Sequence, residues 1–125
     1  MMGLFMRLEA MAVFFAAVLL NILMGGNWWL FAAFAIVPDL GLAGYLRRDK
    51  TLRWPAILYN VTHTYAAPLL LALALWIWLP NPAGAPAPIY LTGWAAHIAV
   101  DRFFGFGFKS VHSFHDTHIQ RAAKD

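Results

Sequence analysis

The chain places ionisable residues with metal-ligating or acid–base chemistry inside strongly apolar stretches. His97 and Asp101 stand four residues apart, between Gly93 and Gly105, in the apolar segment 89–108. Residues four apart share one face of a helix, so these four residues form a stripe with a glycine at each end and two polar side chains in the middle. An ionisable group inside a bilayer is costly unless it is paired or faces a wet cavity. The stripe is therefore expected to face protein rather than lipid.

Three carboxylates lie in apolar segments without an obvious counter-charge. Glu9 and Asp101 each have an arginine close by in sequence, Arg7 and Arg102, but these arginines point elsewhere around their helices, and Asp39 has none. Protonation of the carboxylates, long-range pairing with an arginine, or a bound metal ion would each neutralise them. Histidine and carboxylate together suit zinc or non-haem iron, so the predicted cofactor is a divalent metal.

The predicted metal ligands are three histidines and two aspartates: His63, His97, Asp101, Asp116 and His118. Asp39 and Glu9 are predicted to be catalytic, with one of them acting as the general base toward a metal-bound water.

Composition assigns the chain to the membrane proteins. Of its 125 residues, 62% are hydrophobic and only 12% are charged, which leaves too little polar surface for a soluble domain of this size. The absence of cysteine excludes disulfides, thiolate metal sites and cysteine nucleophiles. The net charge is +3, but the basic residues cluster between apolar segments rather than along one face, so we expect a lipid bilayer and no nucleic acid as partner.

Four apolar segments are each long enough to cross a bilayer. We predict one all-α membrane domain over residues 1–125, a four-helix bundle with a polar tail at 109–125. The spans are 4–24, 28–46, 54–78 and 89–108. The first segment has no convincing cleavage site, so it is interpreted as a helix and not as a signal peptide. Pro38 and Pro68 should bend or break the second and third helices, because each removes a backbone donor.

Basic residues set the predicted orientation. The loop from Arg47 to Arg53 is rich in Lys and Arg, whereas the connections 25–27 and 79–88 contain neither. The positive-inside rule then puts both termini in the cytoplasm. At 1.5 Å per residue, Asp39, His63, His97 and Asp101 all lie roughly 10–17 Å from the cytoplasmic ends of their spans. The polar residues are therefore predicted to cluster in the cytoplasmic half of the bilayer.

Several motifs in this order resemble a known family. They are PDL at 38–40, GYL at 44–46, YNVTHTY at 59–65, AAHIAVDRFFGFGFK at 95–109 and FHDTH at 114–118. The chain is similar, from RLE at 7–9 onward, to domain-of-unknown-function family 4260, small bacterial membrane proteins without assigned activity. The resemblance implies a compact four-span fold in the bacterial inner (plasma) membrane. It also implies a set of family-typical polar positions: Glu9, Asp39, Asn60, His63, His97, Asp101, Arg102, Asp116 and His118. The chain departs from the family pattern at 110–113, so His112 and His115 are left outside the predicted site.

Three functions are compatible with this pattern. The first is a metal-dependent hydrolase of a lipid-like substrate that enters from the cytoplasmic leaflet. The alternative is a non-enzymatic scaffold or assembly factor, in which the His97–Asp101 pair with Asn60, or Glu9 with Arg102, only joins helices. The third is a proton or metal-ion conduit, which would need a homo-oligomer because four helices leave little room for a pathway.

Overall fold

A computed structural model of the chain describes residues 1–46, 53–79 and 88–108. These residues contain five α-helices: α1 (Met2–Leu23), α2 (Trp28–Ile36), α3 (Arg53–Thr62), α4 (Ala66–Trp78) and α5 (Thr92–Phe104). Two 3₁₀ segments, Val37–Leu46 and Ile89–Leu91, complete the described secondary structure. The predicted all-α class is confirmed. The α5 helix is central, because it packs against both α1 and α2, while α3 packs against the 3₁₀ segment Val37–Leu46.

The turn between α1 and α2 depends on asparagine and glycine. Gly25 has a φ of 64°, a left-handed conformation that glycine adopts without strain. Asn21 is buried at the end of α1, and its backbone oxygen accepts a hydrogen bond from the Gly26 N–H at 2.7 Å. The Asn27 side chain then caps α2 by accepting from the backbone N–H of Trp29 at 2.8 Å. Residues 25–27 therefore form a tight turn between α1 and α2.

The second predicted span is interrupted at Pro38, as expected. The α2 helix ends at Ile36, and the chain continues as a 3₁₀ helix from Val37 to Leu46. Proline cannot donate the backbone hydrogen bond that an α-helix would require at this position. Asp39 consequently lies in the first turn of a tighter helix rather than in the middle of an α-helix.

The third predicted span is broken one turn before the place expected. The α3 helix ends at Thr62 and α4 begins at Ala66, with a bend of 64° between them. Pro68 is the third residue of α4, where a missing N–H does no harm because the first turn has no internal acceptors. His63 therefore lies in the break between the two helices and not in the middle of one continuous helix.

The fourth predicted span forms α5, preceded by a short 3₁₀ turn. It ends at Gly105, whose φ is 92°; the Phe106 N–H donates to the Asp101 carbonyl at 2.7 Å, the pattern of a Schellman cap. Gly93 lies against α2, where a β-carbon at this position would overlap the backbone carbonyl of Phe31. Gly93 and Gly105 are both buried. The prediction that the glycine-flanked stripe faces protein is therefore confirmed.

Burial in this fold is inverted relative to a soluble protein. The buried apolar residues are mostly alanines, namely Ala10, Ala17, Ala56, Ala96 and Ala99, together with Tyr59, Leu91, Trp94 and Ile98. Large apolar side chains such as Phe15, Leu69 and Trp78 are instead exposed along α1, α2 and α4. Small residues allow helix backbones to approach closely, which is how helices pack in lipid.

Among the described residues, α1 is the one helix that is long and apolar enough by itself to cross a membrane. Only 17% of its most apolar window is buried, which is not the pattern of a soluble core helix. The segments Trp54–Thr62 and Ala66–Trp78 meet the same requirement when joined, and their bend is that of a broken span or a re-entrant loop. The apolar helix Trp28–Leu40 is shorter.

Candidate metal centre

Two histidines and two aspartates from three parts of the chain meet at one point of the fold. The Nε2 atom of His63 lies 3.3 Å from Asp101 Oδ2 and 3.9 Å from Asp39 Oδ1. The Nε2 atom of His97 lies 3.5 Å from Asp101 Oδ2 and 3.3 Å from Asp39 Oδ1. The 3₁₀ segment provides Asp39, the break after α3 provides His63, and α5 provides His97 and Asp101. We call these four residues the His–Asp cluster.

The spacing of the donor atoms matches the edges of a metal coordination shell. For zinc bonds of about 2.0–2.2 Å, ligand atoms at the corners of a tetrahedron are about 3.3–3.6 Å apart. Three of the four nitrogen–oxygen distances in the His–Asp cluster are 3.3–3.5 Å, and the fourth is 3.9 Å. One donor atom from each of Asp39, His63 and His97 also lies within 4.8 Å of the others. Two histidines and a carboxylate are a ligand set for zinc or non-haem iron.

Contacts on its own helix hold His63 in one orientation. Its Nδ1 atom lies 2.9 Å from the Tyr59 carbonyl oxygen, one turn earlier. Since a carbonyl only accepts, Nδ1 carries the proton of this hydrogen bond, and Nε2 of the neutral ring presents a lone pair to the cluster. The Tyr59 ring stacks on the imidazole at 3.7 Å, and the two rings are only 17° from parallel. Metal-ligating histidines are commonly oriented in this way through their second nitrogen.

The two Nε2 atoms are buried and, among the described residues, form no hydrogen bond of acceptable geometry. Each is nevertheless within 3.5 Å of a carboxylate oxygen. A lone pair of His63 that faces a carboxylate at 3.3 Å is electrostatically unfavourable, so a proton or a cation is expected between them. A second proton on the imidazole, a proton on the carboxyl group or a metal ion would each remove this repulsion.

Hydrogen bonds of Thr62 connect the three parts of the chain that form the cluster. The Thr62 carbonyl accepts from the Trp94 indole N–H at 2.7 Å, which ties the end of α3 to α5 one turn before His97. The Thr62 hydroxyl lies 3.3 Å from the carbonyl oxygen of Pro38, the residue before Asp39. His63 directly follows Thr62, Asp39 directly follows Pro38, and His97 comes three residues after Trp94. These hydrogen bonds therefore position all three side chains.

The His–Asp cluster is closed on one side and open on the other. The exposed fraction of the side chain is 3% for His63, 18% for His97, 22% for Asp101 and 44% for Asp39. The side of Asp39 is thus the direction from which a water molecule or a substrate can approach. Catalytic metal sites keep one position open in this way, whereas structural sites are closed.

The structure brings together some of the sequence-predicted site residues. The predicted ligands His63, His97 and Asp101 are adjacent, and Asp39, predicted as a general base, also lies among the donor atoms. Glu9 is exposed on α1, and among the described residues no hydrogen bond or ion pair joins it to the cluster or to Arg102. The predicted ligands Asp116 and His118 lie outside the described residues, as do His112 and His115.

Sequence reasoning missed the residues that position the cluster. Tyr59 stands four residues before His63, and that spacing alone was enough to place both on one helix face. Its hydroxyl also lies 3.4 Å from Asp101 Oδ2. Thr62 and Trp94 had no such signal, because their interactions join segments that are 32 residues apart in sequence.

Comparison with known proteins gives a family but no characterised relative. No curated protein and no solved structure is significantly similar to this chain. One family model matches residues 4–122, which include all four members of the His–Asp cluster. The chain therefore belongs to the family described as a domain of unknown function, DUF4260.

Proposed function

We propose that this chain is a polytopic protein of the bacterial plasma membrane, with four passes and both termini in the cytoplasm. The exposed large apolar side chains and the alanine-rich interior support this placement. The proline-broken second segment is long enough for a pass, since nine residues of α-helix and ten of 3₁₀ helix have a contour length of about 33 Å. The hydrocarbon core is about 30 Å thick.

Within this placement, the chain binds one zinc or iron ion through the His–Asp cluster. This proposal is supported by two buried imidazole nitrogens that lack hydrogen bonds within the described part of the chain and face two carboxylates at 3.3–3.9 Å. A single divalent ion at their centre would engage both lone pairs and balance both negative charges. It would also remove the cost of placing carboxylates in a low-dielectric region.

The activity that fits such a site is hydrolysis of an ester in a lipid-like substrate. His63, His97 and Asp101 would hold the ion, which would supply a water acidic enough to lose its proton near neutral pH. Asp39, the most exposed member of the cluster, would accept that proton. As the water oxygen adds to the carbonyl carbon or phosphorus of the ester, the bond to the alcohol oxygen would break, and Asp39 would return the proton to that oxygen.

A packing scaffold is the second candidate function. The same His–Asp distances also fit ion pairs, provided that the two imidazoles are protonated. If both imidazoles carry a second proton, the cluster is a network of ion pairs between α3, α5 and the 3₁₀ segment. Such a network joins helices without binding an ion or a substrate.

Metal analysis separates the two candidates. The protein is purified in detergent with an affinity tag that contains no histidine, and its zinc and iron are measured by mass spectrometry. The proposal predicts about one ion per chain in the wild type, loss of the ion in His63→Gln, and retention in the control His112→Gln. A folded wild type that contains no metal, and that takes up neither zinc nor iron on titration, would support the scaffold instead.

A further inference from the structure

An apolar groove of about 440 Å³ lies between α4 and the beginning of α5. Its α4 wall includes Tyr65, Leu69 and Trp76, and its α5 wall includes Thr92 and Ala95. Nearly all of the lining is apolar, and the outer edge of the groove merges with the exposed apolar surface of α4. A continuous apolar groove of this kind suits an alkyl chain.

A cation stands at one end of this groove. The guanidinium carbon of Arg102 lies 4.3 Å from the centre of the Tyr65 ring and 5.6 Å from that of Phe108. The faces of both aromatic rings attract the guanidinium by cation–π interaction. Within residues 1–46, 53–79 and 88–108, no carboxylate forms an ion pair with Arg102. At one end of the groove there is therefore a guanidinium that is held by aromatic rings and has no carboxylate partner among the described residues.

The Tyr65 hydroxyl adds a second polar group at this end. The oxygen is buried, and it has no hydrogen-bond partner among the described residues. Tyr65 belongs to the groove lining and to the Arg102 contact at once. An incoming phosphate oxygen would satisfy the hydroxyl and neutralise the guanidinium, whose planar fork of donors suits phosphate.

Groove and cation lie on one face of α5, away from the metal cluster. Ala95 and Arg102 are seven residues apart, which returns to the same helix face, whereas His97 and Asp101 lie on the other side. From Thr92 to Arg102 the helix rises about 15 Å, which equals half of the ~30 Å hydrocarbon core. Arg102 lies in the last turn of α5, the cytoplasmic end in the proposed topology. Because α5 ends at Phe104 and not at residue 108, Arg102 and the neighbouring Asp101 are closer to this end than the depth predicted from the sequence. The length from Thr92 to the cation thus matches one leaflet.

We propose that the groove and Arg102 together bind one anionic phospholipid of the cytoplasmic leaflet. Its acyl chain lies in the groove between α4 and α5, and its phosphate contacts the Arg102 guanidinium and the Tyr65 hydroxyl. This inference rests on the membrane placement proposed above and is independent of the metal site. The bound lipid is a permanent neighbour of α5 on the face opposite to the His–Asp cluster, and it is not the hydrolysed substrate.

The test measures lipid selectivity by native mass spectrometry of the full chain released from detergent micelles. Phosphatidylglycerol and phosphatidylcholine with identical acyl chains are titrated separately. We expect one phosphatidylglycerol per chain, bound at least about tenfold more tightly than phosphatidylcholine, because both headgroups carry the phosphate but the choline of phosphatidylcholine adds a cation that repels the Arg102 guanidinium. Arg102→Gln should abolish this preference. The matched control Arg7→Gln, which removes a cation on the same side of the membrane, should keep it.

A second arm tests the groove itself. Ala95→Leu fills the groove and should weaken both lipids, while Ala12→Leu adds the same side chain to an exposed position of α1 and should not. Helical content is checked by circular dichroism, and if Ala95→Leu does not fold, the arginine pair decides alone. Equal binding of the two lipids, equal loss in Arg7→Gln, or displacement of phosphatidylglycerol by millimolar inorganic phosphate would each overturn the proposal. Unchanged metal content in Arg102→Gln keeps this result separate from the metal site.

Discussion

Replacement of His97 by glutamine distinguishes a metal ligand from a packing partner. His97 Nε2 lies 3.3 Å from Asp39 Oδ1 and 3.5 Å from Asp101 Oδ2. Glutamine keeps hydrogen-bonding groups at a similar reach but is a poor ligand for zinc or iron. If the three ligands His63, His97 and Asp101 share a binding free energy of about 10–16 kcal/mol, loss of one costs about 3–5 kcal/mol, or a factor of about 10²–10⁴ in Kd. A packing role predicts a loss of only about 0.6 kcal/mol of stability for one membrane hydrogen bond.

The assay is a zinc titration in competition with a chelator of known affinity, on detergent-purified protein. His97→Gln, His97→Ala and Asp101→Asn should all lose affinity together, because none of the new side chains replaces an imidazole or a carboxylate as a ligand. His112→Gln should bind as the wild type does. Zinc affinity of His97→Gln within threefold of the wild type would refute the ligand assignment, as would a graded stability series in which only alanine is strongly destabilised.

Three further outcomes are expected. Reporter fusions after Asn27 and at Gly84 should lie outside the cytoplasm, whereas those at Lys50 and the C-terminus should lie inside; an external C-terminus would overturn the four-pass topology. Gly93→Ala should destabilise the fold by about 1–3 kcal/mol in thermal unfolding, because the new β-carbon overlaps a backbone carbonyl of α2 and the helices must separate. Saturating zinc, at 100 times its Kd, should stabilise the chelator-treated protein by about 2.7 kcal/mol, and an unchanged unfolding midpoint would argue against a bound ion.

The features that the sequence predicts well are those set by local chemistry. The break at Pro38, the end of α5 at Gly105 and the turn after α1 each follow from a proline or a glycine and its neighbours. The proximity of His97 to Asp101 follows from helical spacing. The approach of Asp39 and His63 follows from a common depth in the predicted spans. These inferences need no knowledge of how the helices pack.

The features that the sequence does not reveal depend on tertiary contacts. The break in the third predicted span was expected at Pro68, yet it lies at residues 63–65. The preceding residue, Thr62, accepts a hydrogen bond from Trp94 of α5. Asp39 was predicted as a base, and the structure places its Oδ1 atom 3.3 Å from His97 Nε2, among the donor atoms of the cluster. The position of this break and the surroundings of Asp39 could not be derived from the local sequence pattern. Both depend on which segments of the chain pack against each other.

The bend after α3 has a mechanical consequence. The α4 helix contains 13 residues and is therefore a rod about 20 Å long, attached at one end to the break that contains His63. A rotation of 1° about that attachment displaces the far end, at Trp78, by about 0.3 Å. A rotation of 10° gives more than 3 Å, comparable to the width of a water molecule. Small changes in the geometry around one imidazole are thus magnified at the far end of α4, where a spin label near Trp78 would record them as distances.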